Sequence, residues 1–224
     1  MAHPPRYAAL IDGAFLIRKL ESRLRRFPTA QDIEAAATAI AEHQCVDGLA
    51  RLRTYFYHAR PSAQMLVNPI SKEHISLGST EVFANHTRLL RELELLPDFA
   101  LRLGETDTIG WRVGTTAFQR IVRNPRLLRA EDLVPAITQK GVDLRIGLDI
   151  ARLALTQSVE AIVAVTGDSD LVPAFKFARR EGMRVFLCHL GHGVKRELRA
   201  HADRTIRLAL PFSATIPCEI QDAA

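Results

Sequence analysis

The sequence predicts an α/β fold, a mainly parallel central sheet with helices on both faces. Three observations carry that reading. Tyr7-Ala-Ala-Leu-Ile11 is a short apolar run that stops abruptly at Asp12-Gly13. Ala161-Ile-Val-Ala-Val165 is apolar at every position, as a strand covered on both faces must be. The chain around it alternates helix, strand, helix and strand, which calls for parallel pairing with crossover helices packed on the sheet.

The elements follow in order. After Asp12-Gly13, Ile17, Leu20 and Leu24 share one helical stripe, so a strand, a sharp turn and a helix succeed one another. Thr29, with Asp32 three residues on, caps a second helix whose buried face is Ile33, Ala37, Ile40 and Ala41. Residues 51–58 alternate polar and apolar and turn aromatic at Tyr55-Phe56-Tyr57, a strand pattern. Pro61, Asn68-Pro69 and Gly78 make residues 60–78 a loop. A helix from about Ser79 carries Phe83, Leu89, Leu90, Leu93 and Leu96 and stops at Pro97. Residues 99–131 have the weakest pattern, with short strands expected at 99–103 and 109–113. A helix over 144–156 places Ile146, Ile150, Leu153 and Ala154 on one face. After the 161–165 strand, Thr166-Gly167-Asp168-Ser169-Asp170 leads into a helix that accepts Pro173 in its first turn. Gly182 ends it, and residues 184–188 form the next strand.

Composition narrows the class. At 224 residues, 47% hydrophobic and 25% charged, the chain suits one globular domain with an ample core. No apolar run reaches the roughly 18 residues of a membrane span, and Met1-Ala-His-Pro-Pro-Arg6 lacks the order of a secretory signal. Cys45, Cys188 and Cys218 are widely spaced and odd in number, which suits a reducing compartment. The expectation is a cytoplasmic protein without a membrane partner. The net charge is +5, and 25 of the 30 basic residues are arginine, whose flat fork suits phosphate. A GC-rich genome explains the arginine excess equally well.

The acids are the sharpest feature. Asp12 follows one apolar strand, and Asp168 and Asp170 follow another. Open parallel sheets bind ligands beyond the carboxyl ends of their strands, where strand order reverses. Carboxylates meeting there repel one another unless a cation intervenes, and an oxygen-only set suits Mg²⁺ or Mn²⁺. Asp149 is the natural fourth acid. It is expected opposite the Ile146/Ile150/Leu153 stripe with Arg145 and Arg152 at i−4 and i+3, which is equally the pattern of a surface ion-pair ladder. For Asp168 and Asp170 the competing role is a turn and helix cap.

Tyr7-Ala-Ala-Leu-Ile-Asp-Gly13, Lys140-Gly-Val-Asp-Leu-Arg-Ile-Gly-Leu-Asp149 and Val165-Thr-Gly-Asp-Ser-Asp170 with Pro173 resemble, in order and spacing, the signature blocks of NYN domains. These are PIN-like nucleases of the LabA/DUF88 group. The resemblance implies a single PIN-like domain over residues 6–208, with an extension at 1–5 and a tail at 209–224. It implies metal-dependent hydrolysis of single-stranded RNA, leaving 5′-phosphate and 3′-hydroxyl ends. Asp12, Asp149, Asp168 and Asp170 match the acids that hold Mg²⁺ or Mn²⁺. Asp143 matches a further recurrent acid. It lies about 120° from Asp149 on a regular helix, so it is assigned a capping or outer-shell role, with Thr166 also in the outer shell. Where many relatives carry Asn three residues after the first acid, this chain has Phe15. That departure keeps open a second reading, a catalytically weak module that binds RNA or a partner protein.

Phosphate contacts are assigned to Lys140 and Arg145 inside the matched block, and to Arg60, Arg123 and Arg126, the last two in a row with Arg120 and Arg129. A solvated basic face is the alternative for that row. Tyr55 and Tyr57 offer rings for base stacking or, equally, for the core. Cys188, His189, His192 and His201 match no zinc spacing, and Gly191-His192-Gly193 completes no nucleotide loop. A generic D-x-D phosphatase or transferase at Asp168-Ser-Asp170 is a third reading. Oligomeric state is left open, a homo-oligomer included.

Overall fold

The computed structural model describes residues 4–208. Its sheet has seven strands in the order β6-β5-β2-β1-β7-β8-β9. They are β1 (Arg6–Asp12), β2 (Ala50–Ala59), β5 (Phe99–Val113), β6 (Leu133–Lys140), β7 (Ala161–Val165), β8 (Arg184–Cys188) and β9 (Arg204–Ile206). All neighbours pair parallel except β5 with β6. The mainly parallel α/β fold expected from the sequence is the observed one. Cys218 and the whole of the expected 209–224 tail lie outside the described residues.

Strand order explains where a ligand site belongs. From β1 the chain proceeds to β2 and β5 on one side, and from β7 to β8 and β9 on the other. The reversal falls between β1 and β7, which pair from Tyr7/Ala161 to Ile11/Val165. Both strands are buried along nearly their whole length, so their ends are the only places for polar chemistry.

Helices α1 (Gly13–Leu24), α2 (Ala30–Ala41) and α3 (Glu81–Glu94) cover one face, where Leu16, Leu20, Ile33, Ile40, Leu89 and Leu93 pack on Ile11, Phe56 and Val163. Helices α5 (Val142–Leu155), α6 (Val172–Arg180) and the short α7 (Arg196–Ala200) cover the other, where Ile146, Ile150, Leu153 and Phe175 pack on Leu10, Tyr57 and Val185. The Thr29–Asp32 capping box forms as the sequence indicates. Ala41, expected in the buried face of α2, is exposed, and Ala36 takes that place. Gly13 is forced by proximity, since a Cβ there would lie 2.6 Å from the Phe56 ring and 2.7 Å from the Tyr57 carbonyl.

Two segments differ from expectation. Residues 60–78 contain a small hairpin, β3 (Met65–Val67) with β4 (His74–Ser76), in place of a bare loop. Residues 99–113 form one fifteen-residue strand rather than two short ones. Its first part pairs parallel with β2 as far as Gly104, and its remainder continues past the sheet edge to pair with β6. The resulting arm carries α4 (Thr115–Arg123), which buries none of its residues.

Candidate functional site

The arm and the strand reversal together build a pocket. β6 returns from the arm to the sheet edge at Lys140, and α5 starts at once from Gly141, whose φ of 72° supplies the turn. This sets the first turn of α5, with Asp143, beside the ends of β1 and β7. The space between them, about 580 Å³, is lined by Asp12, Asp143 and Asp168, by Arg18 and His192, and by Gln139 from the arm.

Each acid is held by its local backbone. Asp12 is the N-cap of α1 and its Oδ1 accepts the Phe15 N–H at 3.0 Å. Asp168 Oδ1 accepts the Asp170 N–H at 2.9 Å, while its own N–H donates to Thr166 Oγ1 at 3.1 Å. A carboxylate at such a cap is favoured by the unpaired N–H groups of the turn. Both acids keep the second oxygen for something else.

The electrostatics are strained in the manner of a cation site. Burial raises the Asp12 carboxyl above its ordinary range, with Asp143 and Asp168 adding to the rise and Arg18 and the Phe15 N–H opposing it. Asp143 is raised by burial, then by Asp168 and Asp170. Hence Asp12 feels the charge of Asp143 and Asp168, and Asp143 that of Asp168 and Asp170. Asp170 itself is exposed and stands outside the pocket lining.

Asp149 is elsewhere. It lies i+3 from Ile146 and i−4 from Leu153, so it shares their stripe instead of opposing it, and it is buried against the sheet. Tyr57 Oη donates to its Oδ2 at 2.9 Å, Arg102 Nε to the same oxygen at 2.9 Å, and Arg152 Nε to Oδ1 at 3.3 Å. With its oxygens taken up by three donors, Asp149 locks α5 to β2 and β5. The assignment of Asp149 to the acidic cup is thus corrected to a structural clamp. Asp143, assigned to a cap or outer shell, faces the pocket; Gly141 holds the cap position.

The basic assignments divide. Lys140 is paired with Asp107. Arg126 holds the buried Asp132 through two bonds of 2.6 and 2.7 Å. Arg145 donates to the Gly141 carbonyl at 2.8 Å. These three are occupied by the fold, whereas Arg60 and Arg123 are exposed. Tyr55 and Tyr57 are buried and offer no stacking face.

Sequence reasoning missed Arg18, His192 and Gln139. Arg18 had a signal, lying six residues after Asp12 on the helix that Asp12 caps. His192 had none, because the loop that carries it reaches the pocket only through tertiary packing. Its ring meets Phe15 edge-on at 5.8 Å, and Lys19 Nζ lies 3.2 Å from its Nδ1. Gly167 is required between them, since a Cβ would lie 2.9 Å from Phe15 and 3.0 Å from His192. Phe15 therefore forms an apolar wall of the pocket.

The donor chemistry of the pocket fits a hard divalent cation, since every acid offers oxygen and no cysteine among the described residues lines it; burial pushes the Cys188 thiol up to about 12. Among the described residues, however, no three His, Cys, Asp or Glu side chains stand close enough to share an ion. Binding requires the carboxylates to close inward. No helix of the described residues is long and apolar enough to cross a membrane.

An acidic pocket at the reversal of a mainly parallel sheet, walled by the first turns of two helices, places the chain among single-sheet α/β proteins, an architecture consistent with a PIN-like fold. The family resemblance drawn from the motif blocks holds at that level: residues 114–209 match the family model of the NYN domain, a nuclease-like family. The match contains Asp143 and Asp168 and begins after Asp12. A protein of unknown function from Vibrio parahaemolyticus RIMD 2210633, VPA0982, has a crystal structure that aligns with a TM-score of 0.51 at 15% identity. The alignment covers 92% of this chain and 94% of that one, a likeness of fold alone. No curated protein matches the chain.

Proposed function

We propose that this protein is a metal-dependent ribonuclease that hydrolyses phosphodiester bonds of single-stranded RNA at the pocket between β1, β7 and α5, within a domain spanning residues 6–208. The observation that carries the reading is the convergence of Asp12, Asp143 and Asp168 from three remote parts of the chain on one pocket at the strand reversal. Among the described residues Arg18 is the one permanent cation lining the pocket, so the three acids are not fully neutralised there.

Asp12, Asp143 and Asp168 would hold Mg²⁺ or Mn²⁺, with Asp170 beyond them. The ion, when bound, neutralises charge on the phosphoryl oxygens and acidifies an attacking water. The remaining roles belong to the chain. The Asp170 N–H fixes the Asp168 carboxylate, Thr166 Oγ1 holds the Asp168 backbone N–H, and the Phe15 N–H fixes the carboxylate of Asp12. Arg18 presents a guanidinium to a phosphate oxygen at the pocket mouth. Phe15 and His192 wall one side and limit water. Arg60 and Arg123 remain available to the RNA backbone.

The second reading, a catalytically weak module that binds RNA, is favoured by Phe15 and by the distance still separating the carboxylates. One experiment divides the two. End-labelled single-stranded RNA is incubated with Mn²⁺ and either the natural protein or Asp168→Asn. The hydrolase reading expects cleavage to fall by about 100-fold or more on loss of a ligand. Equal cleavage by both proteins overturns it. RNA binding without cleavage by either supports the weak module.

A further inference from the structure

A second cavity lies at the other end of the sheet. It occupies about 500 Å³ where α6 ends, β8 begins and α7 closes over, and it is lined by Lys176, Arg179, Arg180, Arg184, His201 and Asp203. β7 and β8 pair in parallel from Ala161/Arg184 to Val165/Cys188, so five residues of strand, about 17 Å, separate this cavity from the strand ends that carry Asp168.

Four permanent cations face one carboxylate here, and that carboxylate is spent. Asp203 Oδ1 accepts from Arg179 Nε at 2.8 Å and its Oδ2 accepts the Val185 N–H at 2.7 Å, which pins the loop to β8. Lys176 stands 3.6 Å from Glu197, a loose surface pair. Among the described residues Arg180 and Arg184 have no acidic partner. The guanidinium of Arg184 is steadied over the Phe186 ring at 5.5 Å. Arg179 and Arg180 complement the C-terminus of α6, but Lys176, Arg184 and His201 are not explained by that helix end. Cations gathered from several elements into one concavity repel each other, and an oxyanion removes the repulsion. Among the described residues no Phe, Tyr or Trp lines the cavity, and Phe186 is buried beneath Arg184.

We propose that this cavity binds closely spaced phosphate oxyanions, supplied by a nucleic-acid backbone or by a soluble oligophosphate, at a site separate from the acidic pocket. The proposal goes beyond the hydrolase reading and does not depend on it. Arg180 and Arg184 are the principal donors, and bases are not read.

Binding in EDTA isolates this site from metal-dependent chemistry. A fluorescent 12-nucleotide single-stranded RNA is titrated by anisotropy, and inorganic tripolyphosphate by calorimetry, against the natural protein and Arg180→Glu/Arg184→Glu. Each phosphate contact to a single strand contributes about 0.7 to the slope of log K against log salt. Two lost contacts lower the slope by about 1.4, which is about 25-fold in affinity at 0.1 M salt if the affinities converge at 1 M. Loss of RNA affinity identifies a backbone source, and loss of tripolyphosphate alone identifies a soluble one. Arg88→Glu/Arg91→Glu on α3 makes the same change in net charge far from the cavity and should leave both affinities and the slope in place. Equal binding by the natural protein and the cavity variant overturns the proposal, as does an equal loss in the α3 variant. Arg180→Gln/Arg184→Gln, with an unchanged melting midpoint, guards against misfolding and should reproduce the loss in weaker form.

Discussion

Replacing Asp149 by alanine tests whether this acid belongs to the fold or to the reaction. Asp149 accepts from Tyr57, Arg102 and Arg152 at 2.9, 2.9 and 3.3 Å, and its side chain is 12% exposed. Removing it leaves a buried phenol and two guanidinium groups without their shared acceptor. Breaking a buried ion pair from one side costs about 3–5 kcal/mol. Here the arginine side chains are 36% and 49% exposed, so water recovers part of the loss and about 2–3 kcal/mol remains. In a domain of this size that lowers the melting midpoint by roughly 4–12 °C. Thermal melts followed by circular dichroism give the shift, and RNA cleavage is measured below both midpoints, where the folded variant should retain activity. A variant that melts like the natural protein yet has lost cleavage refutes the clamp and returns Asp149 to the reaction centre.

Asp143→Asn should behave oppositely, losing metal-dependent cleavage while melting no lower than the natural protein, because it relieves repulsion from Asp168 and Asp170; a destabilised but active variant contradicts this. Gly167→Ala should cost about 1–3 kcal/mol by driving a methyl into Phe15 and His192. Combining it with Phe15→Leu should recover part of that in urea titration. His58, stacked on His86, is held down to about 4 by burial, with His86 adding to the depression. It stays neutral in the fold while the unfolded imidazole takes up a proton near 6.5, so stability is lost as pH falls from 6.5 toward 4, by about 3 kcal/mol for this group. Urea midpoints at pH 7 and 4.5 should converge in His58→Leu relative to the natural protein, and parallel profiles would count against the assignment.

What the sequence made legible was what local rules control. β1, β7 and β8 announce themselves as apolar runs, and Thr29 with Asp32 caps α2 through neighbours three residues apart. Asp12 and Asp168 were found because an acid after a buried strand is conspicuous. The arm was illegible because β5 is half-buried on both faces over most of its length and shows no clean alternation. Asp149 was misplaced because two of its three partners, Tyr57 and Arg102, lie 92 and 47 residues away. Lys140 looked free for the same reason, since Asp107 lies 33 residues away. Arg126 and Arg145, by contrast, have partners only six and four residues off, in Asp132 and the Gly141 carbonyl, that depend on the turn each segment adopts.

The central position of β1 has a consequence for biosynthesis. The strand leaves the ribosome well before one of its two neighbours, β7, which begins at Ala161, about 150 residues later. At 5–20 residues per second the nascent chain waits roughly 8–30 s with that edge unpartnered. Asp12 meets Asp143 and Asp168 only after this interval, so the acidic pocket stays unassembled until β7 and the turn that follows it have been made.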